Sequence, residues 1–112
     1  MDVKKIAVIG AGTMGRGIAH VAAAGGFDVA LQDISEDQLQ QALGAIDKNM
    51  KQAVEIGKMT AAEVDQALNR ISVTTNMEEA ARDADLVIEA VLELMDLKID
   101  VFRQLDQICP PH

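Results

Sequence analysis

Hydrophobic residues along the chain fall into two kinds of segment, short continuous runs and longer stretches with a helical repeat. The short runs are typical of parallel strands covered on both faces, because such strands have no solvent-facing side. The longer stretches place apolar residues at intervals of three and four, which is the spacing of one face of an amphipathic helix. The pattern predicts four strands, at residues 5–9, 27–31, 71–74 and 85–91.

Start and stop signals predict the helices between these strands. A first helix, from about residue 14 to 24, is followed by a glycine pair that stops it. Ser35 is a typical N-cap for a long helix that ends at Gly57, and Thr60 with Glu63 forms a capping box that opens a shorter one. These two helices form a hairpin between strands two and three. Two further helices are predicted, a short one at 77–83 and a final one at about 95–108.

Strands that alternate with helices form a parallel sheet with right-handed crossovers. The predicted fold is therefore α/β, a doubly wound Rossmann sheet with an inserted helical hairpin, in one domain spanning residues 1–112. In the strand order 3-2-1-4, the ligand cleft lies at the carboxyl ends of the strands, so the loops after Ile9 and after Val91 should face one ligand. The same order leaves strand four as an exposed edge, which predicts self-association or limited solubility.

Composition and charge narrow the classes of partner. Eighteen acidic residues against ten basic ones give a net charge of −8, and the aromatic residues are two Phe, with no Trp or Tyr. These numbers disfavour nucleic acid, which requires positive charge and stacking surfaces. The single cysteine, Cys109, excludes an internal disulfide, and the sequence has neither a signal-peptide pattern nor an apolar run of about 18 residues. We expect a cytoplasmic protein that binds neither nucleic acid nor a membrane.

A glycine-rich segment follows the first strand directly, as Gly10-Ala11-Gly12-Thr13-Met14-Gly15. Between a strand and a helix, the first glycine permits a tight turn, the second leaves space for a pyrophosphate and the third lets the helix lie close to the sheet. The N–H groups and the dipole at the helix start attract the pyrophosphate, so an acidic chain can still bind an anionic cofactor. The alternative interpretation is a tight turn without a ligand.

Asp33 ends the second predicted strand, 23 residues after Gly10. A carboxylate at this place can accept hydrogen bonds from the ribose hydroxyls of an adenosine. It favours NAD over NADP, because a 2′-phosphate would meet a like charge and no Arg or Lys directly follows Asp33. The alternative is that Asp33 caps the next helix or faces solvent.

Two stretches of the chain resemble one enzyme family. They are IAVIGAGTMGRGIA at residues 6–19 and DLVIEAVLE at residues 85–93, of which the second is the more diagnostic. With the helical hairpin included, essentially all 112 residues are similar to the amino-terminal domain of the short-chain L-3-hydroxyacyl-CoA dehydrogenases, especially the bacterial 3-hydroxybutyryl-CoA dehydrogenases.

The resemblance implies an NAD-dependent oxidoreductase of fatty acid metabolism that interconverts L-3-hydroxyacyl-CoA and 3-oxoacyl-CoA by hydride transfer. It also implies a parent enzyme that forms a homodimer through a helical carboxyl-terminal domain. Part of the acyl-CoA surface would come from the hairpin, in the region of Asn49, Lys51 and Lys58. The positions that the resemblance assigns to NAD are Gly10, Ala11, Gly12, Thr13, Met14, Gly15, Asp33, Ala90, Val91, Glu93 and Lys98.

The catalytic residues that the resemblance implies are a His base, an orienting Glu, and a Ser and an Asn that engage the substrate oxygen. None is assigned in this chain, no metal site is predicted, and His20, Cys109 and His112 are interpreted as structural or solvent-facing. We therefore expect a fragment that lacks the later strands and binds NAD without catalysing the reaction. Two alternatives stay open, a free-standing nucleotide-binding or sensing module and a dehydrogenase of another 3-hydroxy acid.

Overall fold

The computed structural model describes residues 3–91 and 96–101 of the chain. The strands are β1 (Lys5–Ile9), β2 (Asp28–Gln32), β3 (Ile71–Thr74), β4 (Leu86–Val91) and β5 (Asp96–Val101). The helices are α1 (Thr13–Ala24), α2 (Glu36–Glu55), α3 (Ala61–Asn69) and α4 (Met77–Ala81). The strand order is β3-β2-β1-β4-β5, so the predicted order of the first four strands is confirmed.

The central strands are parallel and their residues alternate between two covered faces. On one face, Ile6, Val8 and Leu31 form part of the larger core with α1, α2 and α3. On the other face, Ala7 and Val87 pack in a smaller cluster that lies next to α4. Covered faces on both sides explain why the strands read as continuous apolar runs rather than as alternating ones.

The helix boundaries follow the local signals in the sequence. Ser35 accepts a hydrogen bond from the Gln38 N–H at the start of α2, and Thr60 and Glu63 form the predicted capping box at the start of α3. Gly57, just after the end of α2, has a φ of +79°. Among the helices in the described ranges, none is both long and apolar enough to cross a membrane.

The predicted final helix is wrong over residues 96–101. These residues form β5, which runs antiparallel to β4 with Leu86 opposite Val101 and Val91 opposite Asp96. The segment Asp-Leu-Lys-Ile-Asp-Val alternates charged and apolar residues, a strand period that competes with the helical spacing. Pairing with β4 decides between them, because it satisfies the backbone groups of β4 and β5 that face each other. Residues 102–108 of the predicted helix lie outside the described residues.

The expectation that β4 is a free edge is therefore also wrong. β4 lies between β1 and β5, and the strands at the two edges of the described sheet are β3 and β5. Self-association through β4 would require unpaired backbone groups along that strand. This requirement is not met, since β5 pairs with β4 along its whole length.

Candidate cofactor site

Gly10 lies at the end of β1, between the ends of β2 and β4. Its φ is +102°, a value that favours glycine, and a Cβ at this position would collide with the Ala90 carbonyl oxygen. Its N–H donates to the Gln32 carbonyl oxygen at 2.6 Å. A side chain at position 10, where the chain leaves the sheet, would therefore not fit.

Gly15, in the first turn of α1, sets how closely this helix approaches the sheet. A Cβ on Gly15 would overlap the carbonyl oxygen of Gly10 and would lie 3.5 Å from the Val8 side chain. The predicted role of the third glycine, close packing of helix on strand, is confirmed. The start of α1 is consequently held against the carboxyl end of β1.

The amino terminus of α1 differs from those of the other helices in the described part of the chain. The helices α2, α3 and α4 each have a side-chain N-cap and acidic residues in the first turn. In α1 the N-cap is Gly12, which makes no side-chain hydrogen bond, and the first turn has no acidic residue. The N–H groups at a helix start have no intrahelical partner and carry the positive end of the dipole. This terminus is thus suited to an anion.

Asp33 follows β2 and is half-buried beside the glycine loop. Its Oδ2 accepts a hydrogen bond from the Ala11 N–H at 2.9 Å, and its Oδ1 accepts one from the Ser35 N–H, also at 2.9 Å. The second bond agrees in part with the alternative interpretation, a local role before α2. The cap of α2 is nevertheless Ser35, and the carboxylate reaches across to the loop after β1.

A cleft of about 350 Å³ opens beside Asp33, at the carboxyl edge of the sheet. Two apolar side chains on its wall are exposed, Ile34 at 89% and Met77 at 56%. Exposed apolar groups that line one cleft suit a partly apolar ligand. The residues that line the cleft are Ile9, Gly10, Gln32, Asp33, Ile34, Met77, Glu89 and Ala90.

The floor of this cleft is one row of residues across the sheet. Ile9 on β1 lies opposite Gln32 on β2 and opposite Glu89 on β4. The buried Gln32 side chain donates from Nε2 to the Thr75 carbonyl oxygen at 3.1 Å, which ties the loop before α4 to β2. Glu89 is the second carboxylate, besides Asp33, among the residues that line the cleft.

Sequence reasoning missed Ile34, Met77, Gln32 and Glu89 as residues of this cleft. Ile34 alone carried a usable signal, since it is an apolar residue in a loop directly after the candidate ribose carboxylate. The other three became part of the site through strand register and the position of α4.

The second predicted wall of the site is described only in part. Ala90 and Val91 end β4, and the Ala90 carbonyl oxygen lies against Gly10, so this strand end and the glycine loop are in contact. Lys98, expected on a helix, lies in β5 opposite Glu89. Glu93 lies outside the described residues.

The hairpin residues suggested for acyl-CoA lie away from the cleft walls. Asn49, Lys51 and Lys58 are exposed, and Lys51 Nζ pairs with Asp47 Oδ2 at 3.0 Å. His20 on α1 is half-buried and does not line the cleft. Within residues 3–91 and 96–101, no group of three or more His, Cys, Asp or Glu could hold a metal ion.

A larger groove of about 680 Å³ runs along α1, and its lining includes Thr13 and Met14, two of the residues predicted to contact NAD. Its walls are mostly apolar, and Val21 on its rim is 72% exposed. A dinucleotide carries two phosphates and two ribose rings, which need hydrogen-bonding groups that these walls supply poorly. The cleft at Asp33, with the start of α1, is therefore the candidate cofactor site.

Comparison with known proteins identifies the family of the chain. Residues 5–112 match the model of the family described as "3-hydroxyacyl-CoA dehydrogenase, NAD binding domain". The chain belongs to this family. The cofactor of this dehydrogenase domain is NAD, which agrees with the preference inferred from Asp33.

Relatives of this dehydrogenase domain are substantially longer than the chain. It is 45% identical over 112 residues to a Bacillus subtilis (strain 168) protein named "Probable 3-hydroxybutyryl-CoA dehydrogenase", covering 100% of the chain and 39% of that protein. It is 43% identical to the 3-hydroxybutyryl-CoA dehydrogenase of Clostridioides difficile, covering 94% of the chain and 37% of the relative. The solved structure of an Escherichia coli K12 3-hydroxybutyryl-CoA dehydrogenase matches with a TM-score of 0.78 and 44% identity, over 83% of the chain and 20% of that protein.

Proposed function

We propose that residues 1–112 bind one NAD across the carboxyl edge of the sheet, as the cofactor half of a 3-hydroxyacyl-CoA dehydrogenase. The observation that carries the proposal is the uncapped start of α1 lying beside a carboxylate and an apolar cleft. These features match the three chemical parts of an adenosine diphosphate. The residues proposed to contact NAD are Gly10, Ala11, Gly12, Thr13, Met14, Gly15, Asp33, Ala90, Val91, Glu93 and Lys98.

The pyrophosphate would lie over Gly12, at the N-terminus of α1. Within α1 itself, this terminus has neither a capping side chain nor an acidic residue in its first turn. Bound phosphate oxygens would accept hydrogen bonds from the N–H groups that have no partner within the helix. The glycine at this position leaves the backbone accessible to the phosphates.

The adenosine would occupy the cleft beside Asp33. Its ribose hydroxyls would donate to the carboxylate, and its adenine ring would lie between Ile34 and Met77. Burial of these two exposed side chains by a purine gives a hydrophobic contribution that a bare sugar phosphate would lack. The nicotinamide end would then point towards the end of β4, at Ala90 and Val91.

Preference for NAD over NADP follows from charge. Asp33 and Glu89 both line the cleft in which the ribose 2′ position would lie. A 2′-phosphate carries about two negative charges and would be repelled by both carboxylates. In the described part of the chain, no Arg or Lys lines this cleft to offset them.

For the whole protein, we propose NAD-dependent interconversion of L-3-hydroxyacyl-CoA, in particular 3-hydroxybutyryl-CoA, and the 3-oxoacyl-CoA. The support is the family and the names of the relatives. NAD supplies a hydride acceptor when it is bound. This chain's own residues bind and orient the cofactor, while substrate deprotonation would belong to residues outside the chain.

Two further properties of the whole protein are proposals of the same kind. We propose a homodimer formed outside these 112 residues, which sedimentation of the longer protein would test. We also propose a cytoplasmic location, supported by the composition of the chain, although an Arabidopsis thaliana relative is named as a peroxisomal multifunctional protein. Localisation of a tagged full-length protein would decide between the two compartments.

The direct test of cofactor binding is calorimetric titration of the chain with NAD and with NADP. We expect NAD to bind at least tenfold more tightly, and equal affinities would contradict the assignment of Asp33. Gly12→Ala should weaken both cofactors by about tenfold or more, because its methyl group occupies the space of the pyrophosphate. Gly12 has a φ of −70°, which alanine adopts readily, so this variant should remain folded.

The matched control for Gly12→Ala is Gly17→Ala. Gly17 lies on an exposed part of α1, and nothing lies within 4 Å of a Cβ built on it. Its substitution adds the same methyl group to the same helix without reaching the proposed pyrophosphate position. Equal NAD binding by wild type and both variants would remove the argument from the glycine loop.

A further inference from the structure

The side chain of Asp33 joins two loops that start different helices. One oxygen accepts from the N–H of Ala11, in the loop before α1, and the other accepts from the N–H of Ser35, the N-cap of α2. Both N···O distances are 2.9 Å, within the range of charge-assisted hydrogen bonds. One carboxylate therefore fixes the glycine loop relative to the end of β2.

The Ala11 N–H has particular need of this partner. Ala11 is 3% exposed and lies between Gly10 and Gly12, two residues without a Cβ. A backbone N–H that is buried without a hydrogen bond costs free energy, so removal of the carboxylate favours other loop conformations. Gly10 and Gly12 make such conformations accessible.

The Asp33 carboxylate can accept more hydrogen bonds than the two from the backbone. An ionised carboxylate has about four lone-pair sites, and the Ala11 and Ser35 N–H groups use one on each oxygen. One site on each oxygen remains, which is the number that the 2′ and 3′ hydroxyls of a ribose require. The residue can therefore hold the loop and the ribose simultaneously.

We propose that Asp33 is a positioning residue for the glycine loop, in addition to its proposed contact with the ribose. It holds Ala11 so that the start of α1 is arranged for the pyrophosphate before any cofactor binds. The inference rests on the proposed NAD site and adds to it that Asp33 supports binding of the phosphates, which its side chain does not touch.

The two roles of Asp33 also affect how its substitution changes the choice between NAD and NADP. Replacing Asp33 to remove repulsion of a 2′-phosphate also removes the acceptor for Ala11. Such variants should gain NADP relative to NAD and still bind both cofactors weakly, because the loop that holds the shared pyrophosphate is less ordered.

The experiment compares two nucleotides that differ only in the groups that Asp33 would contact directly. ADP carries both ribose hydroxyls, and 2′,3′-dideoxy-ADP carries neither. Affinities of both are measured for wild type and Asp33→Ala by calorimetry. The matched control is Asp28→Ala, which removes the same charge from an exposed residue at the other end of β2.

We expect Asp33→Ala to weaken 2′,3′-dideoxy-ADP by about three- to tenfold, and ADP by a larger factor. Asp28→Ala should leave both affinities unchanged. An unaltered affinity of Asp33→Ala for 2′,3′-dideoxy-ADP, together with weaker ADP, would overturn the proposal, since Asp33 would then act through the ribose alone. If Asp33→Ala does not fold, Asp33→Asn replaces it, because one carbonyl oxygen cannot make both backbone bonds in the same way.

Amide hydrogen exchange at Ala11 separates this inference from the proposed function. In the ligand-free chain, the Ala11 amide should exchange about three- to tenfold faster in Asp33→Ala than in wild type, while amides in β1 stay unchanged. Unchanged exchange at Ala11 would overturn the positioning role even if NAD binds. Failure of wild type to bind either nucleotide would contradict the proposed function, and the exchange result would still decide the role of Asp33 in the loop.

Discussion

Two aspartates at opposite edges of the sheet perform similar backbone chemistry in different surroundings. At the amino edge, Asp85 is 2% exposed and its Oδ2 accepts from the N–H groups of Lys4 and Lys5 at 2.8 and 3.1 Å. At the carboxyl edge, Asp33 also accepts two backbone N–H bonds, but it is half-buried and lines a cleft. Acceptance of backbone N–H bonds therefore does not by itself distinguish a structural carboxylate from one that is proposed to bind a ligand.

What distinguishes them is exposure, since Asp33 lines an open cleft and Asp85 is buried. Asp85 uses its bonds to fasten the start of β1 beside β4, where little surface is open. Asp33 fastens two loops and keeps acceptor capacity towards open space. We therefore expect changes at the amino edge to affect stability and changes at the carboxyl edge to affect binding, with one exception.

The exception gives the largest expected effect. Gly15→Ala places a methyl group on the Gly10 carbonyl oxygen, so α1 must move away from β1. We expect a loss of about 3–5 kcal/mol of unfolding free energy, measured by urea denaturation. Gly17→Ala is the control, and it should stabilise the chain by about 0.5–1 kcal/mol, as alanine is the better helix former. A loss below about 1 kcal/mol in Gly15→Ala would show that the contact of helix and loop relaxes easily.

Asp85→Ala should have the next largest effect, and this effect should be confined to stability. Two backbone N–H groups lose a charged acceptor, one of them on a half-buried lysine, which costs about 2–4 kcal/mol. Below the unfolding transition, NAD affinity should equal that of wild type. Asp28→Ala, at the same edge and exposed, should change stability by less than about 0.5 kcal/mol. Weakened NAD binding by folded Asp85→Ala would break the division between the two edges.

Asp33→Ala should show the opposite pattern, with a small effect on stability and a large effect on NAD binding. Its bonds are partly exposed, so water can replace the carboxylate in part, and we expect a stability loss of only about 1 kcal/mol. NAD affinity should fall by about 10- to 100-fold, the value of charged hydrogen bonds to the ribose together with a less ordered loop. Denaturation and calorimetry on the same preparation measure both quantities. A stability loss as large as that of Asp85→Ala would place Asp33 with the structural carboxylates.

Ile34→Ala should give the smallest effect. The side chain is 89% exposed in the free chain, so stability should change by less than about 0.5 kcal/mol. The substitution removes about 1 kcal/mol of hydrophobic contact with the purine ring proposed to cover Ile34, so NAD affinity should fall about fivefold. The control is Ile56→Ala, because Ile56 is also exposed but does not line the cleft, and it should leave the NAD affinity unchanged. Equal affinities for the two variants would move the adenine away from Ile34.

Much of the fold was accessible from short-range signals. The strands at 5–9 and 71–74 were predicted with the bounds observed, and the caps at Ser35 and Thr60 form the predicted hydrogen bonds. Capping and strand burial depend on residues within a few positions of one another, so the sequence contains the whole signal. The same applies to the tight turn predicted at Gly10, where the structure has a φ of +102°.

The remaining features depend on contacts between distant residues. The segment 96–101 carries both a helical and an alternating pattern, and its pairing with β4 selects the strand. Glu89 and Gln32 enter the cleft because strand register aligns them with Ile9, which no local pattern indicates.

The sequence alone determined the order of the first four strands and of the helices between them, the glycine loop, the carboxylate that follows β2 and the resemblance to a dehydrogenase domain. Each of these depends on residue type and spacing along the chain. Only the tertiary structure decided that Gly10 lies against Ala90, that Asp33 holds Ala11 and that Ile34 and Met77 line one cleft. The physical reason is that hydrogen-bond partners and cleft walls come from residues far apart in the chain, which are brought together when the strands pair and the core packs.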